Sequence, residues 1–278
     1  MFPVGDTMYP LCLLDTMAVS EMAKRPNPAL VNFYSWVHKS QPLFVPCFSV
    51  FTMIELRRKP DLFSRFIDQF HPLPCVLIKG YEELLQEEVA AYPDPSGIDP
   101  CALAFTPFGG DGNLLSNLPN LLQDPHLLER EQYWNAARRE IVDGMISLVG
   151  NFPPAEDKYT AAEIREFIEM AGFSQLVYRA ESFAKQLVDR EEAAQIDAFP
   201  SLKASLYTAF HKFYVDPTRK PVNSDAFDII ISASVPYVEA IITENHQAEV
   251  LRKTKRRDDF IGDLRVFTLR DFRQTPPT

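Results

Sequence analysis

An α/β fold, with a parallel sheet sandwiched by helices and a large α-helical insertion, is predicted for this 278-residue chain by three observations. Short apolar runs alternate with helical stripes from Tyr9 to His71, the same alternation resumes after Pro217 and Pro221, and the stretch between reads as helical from Leu127 to Tyr214. Strand–helix alternation favours a parallel sheet, because each crossover lays an amphipathic helix on the sheet face.

Leu11-Cys12-Leu13-Leu14 is short and wholly apolar, as a strand buried on both faces requires. The stretch from Thr16 through Lys24 reads as the first helix, ended near Pro26 and Pro28, and Leu30, Phe33, Tyr34 and Val37 recur at helical spacing. Leu43 to Cys47 reads as a second strand, followed by a helix that Ser49 can cap and that runs through Glu55 to about Lys59. From Tyr92 to Pro125 the chain carries six prolines and the cluster Gly109-Gly110-Asp111-Gly112, which reads as a long loop or lid. No Gly-Lys-Ser/Thr follows those glycines, so a phosphate loop is not indicated.

Trp134, Ala137, Ile141, Met145 and Leu148 form one apolar helical stripe. Thr160 and Glu163 form a capping box, and Gly172 is expected to end the helix they open. Leu176, Ala180, Phe183 and Leu187 mark another helix, and Leu202, Leu206, Phe210 and Phe213 a last one. Beyond them a helix from Asp225 to Ser234, capped by Asn223 or Ser224, stops at Pro236; Val238 to Ile242 reads as a strand, Glu244 to Lys253 as a helix and Arg265 to Leu269 as a final strand.

Composition bounds the function. A hydrophobic share of 46% suits a folded domain, and no run of about 18 apolar residues or basic leader is present, so the expected address is the cytoplasm with no membrane. The four cysteines lie far apart with no Cys-x-x-Cys pair, and the five histidines show no metal-ligand spacing, which argues against zinc. A net charge of −10 disfavours indiscriminate phosphate-backbone binding, although the basic run from Arg252 to Arg257 can guide an anionic substrate or simply end a solvated helix.

The chemistry is carried by acids. Asp15 hangs off the carboxyl end of the first strand, where ligands collect in open parallel sheets. Glu55, Asp225 with Asp228 one turn on, and Glu244 occur in helix-start or strand-end contexts of the same kind. Converging carboxylates repel, so such a set reads as a site for a hard divalent cation, Mg²⁺ or Mn²⁺, whose affinity weakens at low pH. Each acid also has a plainer reading: Asp15 as a helix cap, Glu55 as a surface partner of Arg58 or Lys59, Asp225, Asp228 and Glu244 as helix-start acids.

At Leu14-Asp15-Thr16, Ile54-Glu55-Leu56, the Ser224-to-Ile230 string with Asp225 and Asp228, and Ile241-Ile242-Thr243-Glu244, the chain resembles the PIN-domain family of metal-dependent nucleases. The stretch Val235-Pro236-Tyr237-Val238-Glu239 is similar to a bacterial subgroup that usually carries Asp at the positions of Glu239 and Glu244, and the strand around Val266 to Phe272 is similar to the family's last strand. The resemblance implies a PIN-like catalytic core made of 1–80 and 216–278, with a proline-rich loop or lid over 81–126 and the helical insertion over 127–215. It implies a Mg²⁺- or Mn²⁺-dependent endonuclease acting on RNA in preference to DNA. Asp15, Glu55, Asp225 and Asp228 would be metal ligands and Glu244 a further catalytic acid, with Glu239 as its alternative. Thr16, Thr243, Arg252 and Lys253 would contact substrate. Toxin members of the family dimerise and are held inactive by a protein, so a homodimer and an inhibitory partner are admitted. The Glu in fourth place and the long insertion also motivate a different reading, a catalytically weak PIN-like module that binds protein or nucleic acid.

Overall fold

The computed structural model describes residues 2–4, 7–24, 27–39, 43–105, 115–136, 159–215 and 223–273. After a small antiparallel hairpin, β1 (Phe2–Val4) with β2 (Thr7–Tyr9), the chain enters β3 (Leu11–Leu14), all four residues of which are buried. Helices α1 (Thr16–Met22) and α2 (Pro28–Lys39) lead to β4 (Val45–Ser49). Then come α3 (Val50–Arg57), α4 (Pro60–Phe70) and β5 (Cys75–Ile78). The Ser49 cap is as expected, its hydroxyl accepting from the Phe51 amide at 3.1 Å.

The described residues of the segment expected as a proline-rich loop, 81–126, include regular elements. The segment holds α5 (Tyr81–Ala91), the edge strand β6 (Cys101–Phe105) and the short α6 (Leu118–Leu121), and helical residues 125–136, here α7, begin at its end and run into the expected insertion. The Gly109-to-Gly112 cluster and the stripe positions Ala137, Ile141, Met145 and Leu148 lie outside the described residues. The chain continues through α8 (Ala161–Arg179), α9 (Glu181–Asp189), α10 (Pro200–Phe210) and a π-helical turn, His211–Val215. It closes with α11 (Asn223–Ser232), β7 (Ala240–Thr243), α12 (Asn245–Arg257), β8 (Arg265–Thr268) and α13 (Leu269–Arg273).

The sheet order is β6-β5-β4-β3-β7-β8, with β6 antiparallel to β5 and the other five strands parallel. Side-chain alternation splits the core in two. Leu11, Leu13, Val45 and Cys47 face Leu202, Phe210, Ile231 and Leu251, while Cys12, Leu14, Phe48 and Ile242 face Val19, Phe33, Met53, Phe66 and Phe272. The helices of 127–215 are therefore part of the layer that covers one sheet face: Trp134, Ile164, Leu176 and Tyr207 share a core with Leu11 and Leu13. No helix among the described residues is long and apolar enough to cross a membrane.

Gly172 does not end its helix. The capping box at Thr160 and Glu163 forms as expected, but α8 runs on to Arg179 because Gly172 is a contact point: a Cβ built there meets Ile196 Cδ1 at 2.8 Å and two more Ile196 carbons at 3.3 and 3.4 Å. Ile196 is buried and cannot swing into solvent. Gly172→Ala gains about 1 kcal/mol of helix propensity but incurs about 2 kcal/mol of overpacking. The expected net result is a loss of about 1 kcal/mol, read as a lower urea midpoint with unchanged slope.

Candidate active site at the sheet edge

The chain leaves β3 towards β4 and β5 on one side, and β7 is followed by β8 on the other. The order thus reverses between β3 and β7, the position at which open α/β sheets in general leave a ligand crevice at the strands' carboxyl ends. Asp15 directly follows β3 and Glu244 directly follows β7, so the two acids stand on either side of that opening. Asp15 continues the ladder, its amide donating to the Ile242 carbonyl at 3.2 Å.

Asp15 has several duties. One oxygen, Oδ1, accepts from the Ala18 amide at 2.7 Å and so caps α1, as the plainer reading expected. The other, Oδ2, accepts from the Thr243 hydroxyl and, at 3.2 Å, from the Glu244 amide, tying the end of β3 to the end of β7. Burial pushes the Asp15 carboxyl up to about 6; these three hydrogen bonds oppose the rise and the charge of Asp228 adds to it. Burial likewise raises the Asp228 carboxyl, with Lys212 opposing and the charges of Glu244 and Asp225 reinforcing. Asp15, Asp228, Glu244 and Asp225 therefore belong to one electrostatic neighbourhood, assembled from three separate stretches of chain. Glu244 opens α12 without a side-chain capping bond, so its carboxylate is not spent on its own helix.

Asp225 and Asp228 sit one turn apart on α11 and share a cation the sequence reading did not include. Lys212, on the π-helical turn after α10, lies 3.3 Å from Asp225 and 2.5 Å from Asp228. Lys212 and Asp225 are sealed from solvent, whereas the Asp228 side chain keeps 31% of its surface exposed. Of the two, Asp228 is thus the one solvent can reach, and Asp225 is enclosed. Lysine is almost never fully buried unless paired, but nothing in the local sequence marks Lys212, because α10 is buried on nearly every side and has no polar face to contrast with an apolar one.

Glu55 is half-buried on α3, one turn beyond Thr52. The Thr16 hydroxyl reaches Thr52 Oγ1 at 3.4 Å, which sets α3 beside the first turn of α1 and so beside Asp15. Glu239, the alternative fourth acid, is at the opposite end of β7: its carboxylate accepts from the Leu11 amide at 2.7 Å, before either strand begins its run to the acidic edge.

The four expected substrate contacts fare differently. Thr243 is fully buried, and its hydroxyl is given to Asp15, which makes it a positioning residue. Thr16, next to Asp15, has its hydroxyl on Thr52. Arg252 donates to the Val266 carbonyl at 3.1 Å, pinning α12 to β8 well over a turn from Glu244. Lys253 stands with Arg256 and Arg257 in the helix's later turns; burial first, and then the charges of Arg257, Lys253 and Arg256, lower the His211 imidazole to about 3. Lys255, Arg256 and Arg257 occupy the last turn of α12, where cations suit the helix end.

The donor set is made of carboxylate oxygens, the chemistry a hard divalent cation prefers. Among the described residues no three His, Cys, Asp or Glu side chains stand close enough to hold one ion as placed. The Asp228 carboxylate is engaged by the Lys212 ammonium, which stands where a cation would lie on that acid. Comparison with protein-family models, curated proteins and solved structures finds no match to this chain.

Proposed function

We propose that this chain is a PIN-like, Mg²⁺- or Mn²⁺-dependent endonuclease that hydrolyses phosphodiester bonds, with RNA as the favoured substrate. The observation that supports the reading is that Asp15, at the end of β3, accepts from the Glu244 amide, at the end of β7, at 3.2 Å where the strand order reverses, with the charge of Asp228 near enough to raise its carboxyl. Those acids come in the chain order that the PIN resemblance implies, and the preference for RNA rests on that resemblance alone. Asp15 and Asp228 would hold the ion, with Glu244 and Glu55 on its flanks. A bound divalent ion supplies charge neutralisation for the phosphate and makes a water easier to deprotonate.

The chain's own residues do the rest. Thr243 and the Glu244 amide fix the Asp15 carboxylate, so its orientation is set before any ligand arrives. Asp225 anchors Lys212. Glu244, free of capping duty, is available to orient a water or accept its proton. The purified chain is expected to cut single-stranded RNA when Mn²⁺ is added and to stop in EDTA, with slower cutting of single-stranded and branched DNA measured side by side. Cleavage indifferent to EDTA would sink the reading.

A second reading is favoured by the buried Lys212 pair: a PIN-like binding module in which the lysine, not a metal, balances the acids. It requires that millimolar Mn²⁺ produce neither calorimetric heat nor thermal stabilisation.

A further inference from the structure

We propose that the pocket between α5, α7 and the α8–α9 junction docks a basic amphipathic segment of another protein, with an apolar anchor in the pocket and Lys or Arg side chains on the acids around it. None of its residues is among the acids of the sheet edge, so the site does not depend on the nuclease reading. The pocket holds about 720 Å³, a volume usual for specific ligand sites. Leu85 and Val89 of α5 and Phe183 of α9 give it apolar walls, while Tyr133 and Tyr178 line it with 50% and 72% of their surfaces exposed. The apolar surface continues along α8. Glu166, Met170 and Val177 follow one another at four and seven positions and share one outer stripe, opposite the buried Ile164, Ile168 and Leu176. Met170 and Val177 are 52% and 46% exposed there. Single exposed apolar side chains are ordinary, but a row of them leading to a pocket marks a contact surface.

The charges decide the partner's chemistry. Arg179, in the pocket wall, is spent within the chain: it pairs with Glu82 at 3.3 Å and lies over the rings of Tyr81, Trp134 and Tyr178 at 5.1, 5.7 and 5.9 Å. Arg130 is likewise held by Glu83 at 2.7 Å. Glu181 in the pocket wall and Glu166 on the α8 stripe are exposed, and neither forms an ion pair among the described residues. Lys185 follows Glu181 by one turn of α9 and does not pair with it. An acidic segment would meet like charge at Glu166 and Glu181, whereas a basic one is also drawn by the net charge of −10. Tyrosine, methionine and arginine are the residues that protein interfaces favour, and the exposed faces of Tyr133 and Tyr178 suit an ammonium or guanidinium as well as an apolar side chain. The wall is set beforehand, because Phe183 packs on Tyr92 and Phe199 at 5.1 and 5.7 Å. A preset pocket lowers the ordering cost of binding.

The probe is a fluorescein-labelled peptide of about 18 residues, or five helical turns, with Leu at the spacing of one helix face and Lys elsewhere. Titrated with the whole chain and followed by fluorescence anisotropy, it is expected to bind with a Kd on the order of 10 μM and to weaken as salt rises. Tyr133→Ala/Tyr178→Ala should weaken binding at least about tenfold, and so should Glu166→Lys/Glu181→Lys. All four side chains are exposed, so both variants should keep the wild-type circular dichroism spectrum and any nuclease activity. A peptide of the same composition in scrambled order, which has no apolar face, should bind at least about tenfold more weakly. Equal binding of the ordered and scrambled peptides, undiminished binding by either variant, or no binding by the wild-type chain would overturn the docking site. A wild-type dimer, seen by light scattering and lost in Tyr133→Ala/Tyr178→Ala, would overturn it in favour of a second copy of this chain.

Discussion

Asp15→Asn is expected to lower Mn²⁺-dependent cleavage of RNA by at least about 10²-fold, since loss of a ligand that holds the ion forfeits several kcal/mol of transition-state stabilisation. The fold should survive. Asparagine retains an oxygen for the Ala18 amide and so keeps the cap on α1, while the Thr243 hydroxyl can turn to accept from the new amide. The bond from the Glu244 amide is lost, at about 1 kcal/mol. Relief of the repulsion between Asp15 and Asp228 offsets part of it. A melting temperature within a few degrees of wild type, together with lost cleavage and a smaller Mn²⁺-induced stabilisation, is the expected triple result. Full activity in the variant would remove Asp15 from the chemistry.

The largest effect on stability is expected far from that edge, at Glu88. This α5 residue is fully buried; its carboxylate accepts from the Ser201 amide and hydroxyl, both at 2.7 Å, and from the Tyr237 hydroxyl at 2.6 Å. Helix α10 begins at Pro200 after Phe199, which offers no capping side chain, so Glu88 caps that helix from another element. Through Tyr237 it also grips the turn that feeds β7. Glu88→Ala leaves these donors without acceptors in the core and is expected to cost about 3–5 kcal/mol, a fall in melting temperature of roughly 10 °C.

Glu88 also carries a pH signature. Burial pushes its carboxyl up from 4.5 to about 7, against the pull of hydrogen bonds from Tyr237, Ser201 and Leu202. Its neighbours Tyr81 and Tyr237 are themselves pushed up by burial and by the Glu88 charge. Between those two values the folded chain keeps a proton that the unfolded chain has released. The contribution of Glu88 is therefore fully present below pH 4.5 and is lost as pH rises through about 7, by about 3 kcal/mol in all. Glu88→Gln should flatten that part of the stability profile. Identical urea midpoints against pH for wild type and Glu88→Gln, measured from pH 4 to 8, would refute the assignment.

Four of the six strands of the main sheet were legible because burial on both faces demands a continuous apolar run, as Leu11 to Leu14 and Ala240 to Thr243 provide with a single polar residue. Helix starts were legible where a side chain closes the first turn, as at Asp15, Ser49 and Thr160. Strand β5 and edge strand β6 were not. The first is only four residues long and the second hides among prolines, where turn-forming residues mask a short pairing segment. Gly172 misled because a glycine that ends a helix and one that admits a neighbour look alike until Ile196 is in place.

By itself the sequence determined the alternation of strands and helices and the string of acids that follow them, since periodicity and capping are properties of neighbours along the chain. Only the tertiary structure decided which acids share a neighbourhood. It brought Asp15 to the Glu244 amide at one edge, sent Glu239 to the other end of its strand, enclosed Asp225, and set Lys212 between two carboxylates from another helix. The physical reason is that charge coupling and burial depend on distance in space: residues 15 and 244 become neighbours only when β3 pairs with β7, and residues 212 and 228 only when the end of α10 packs on α11.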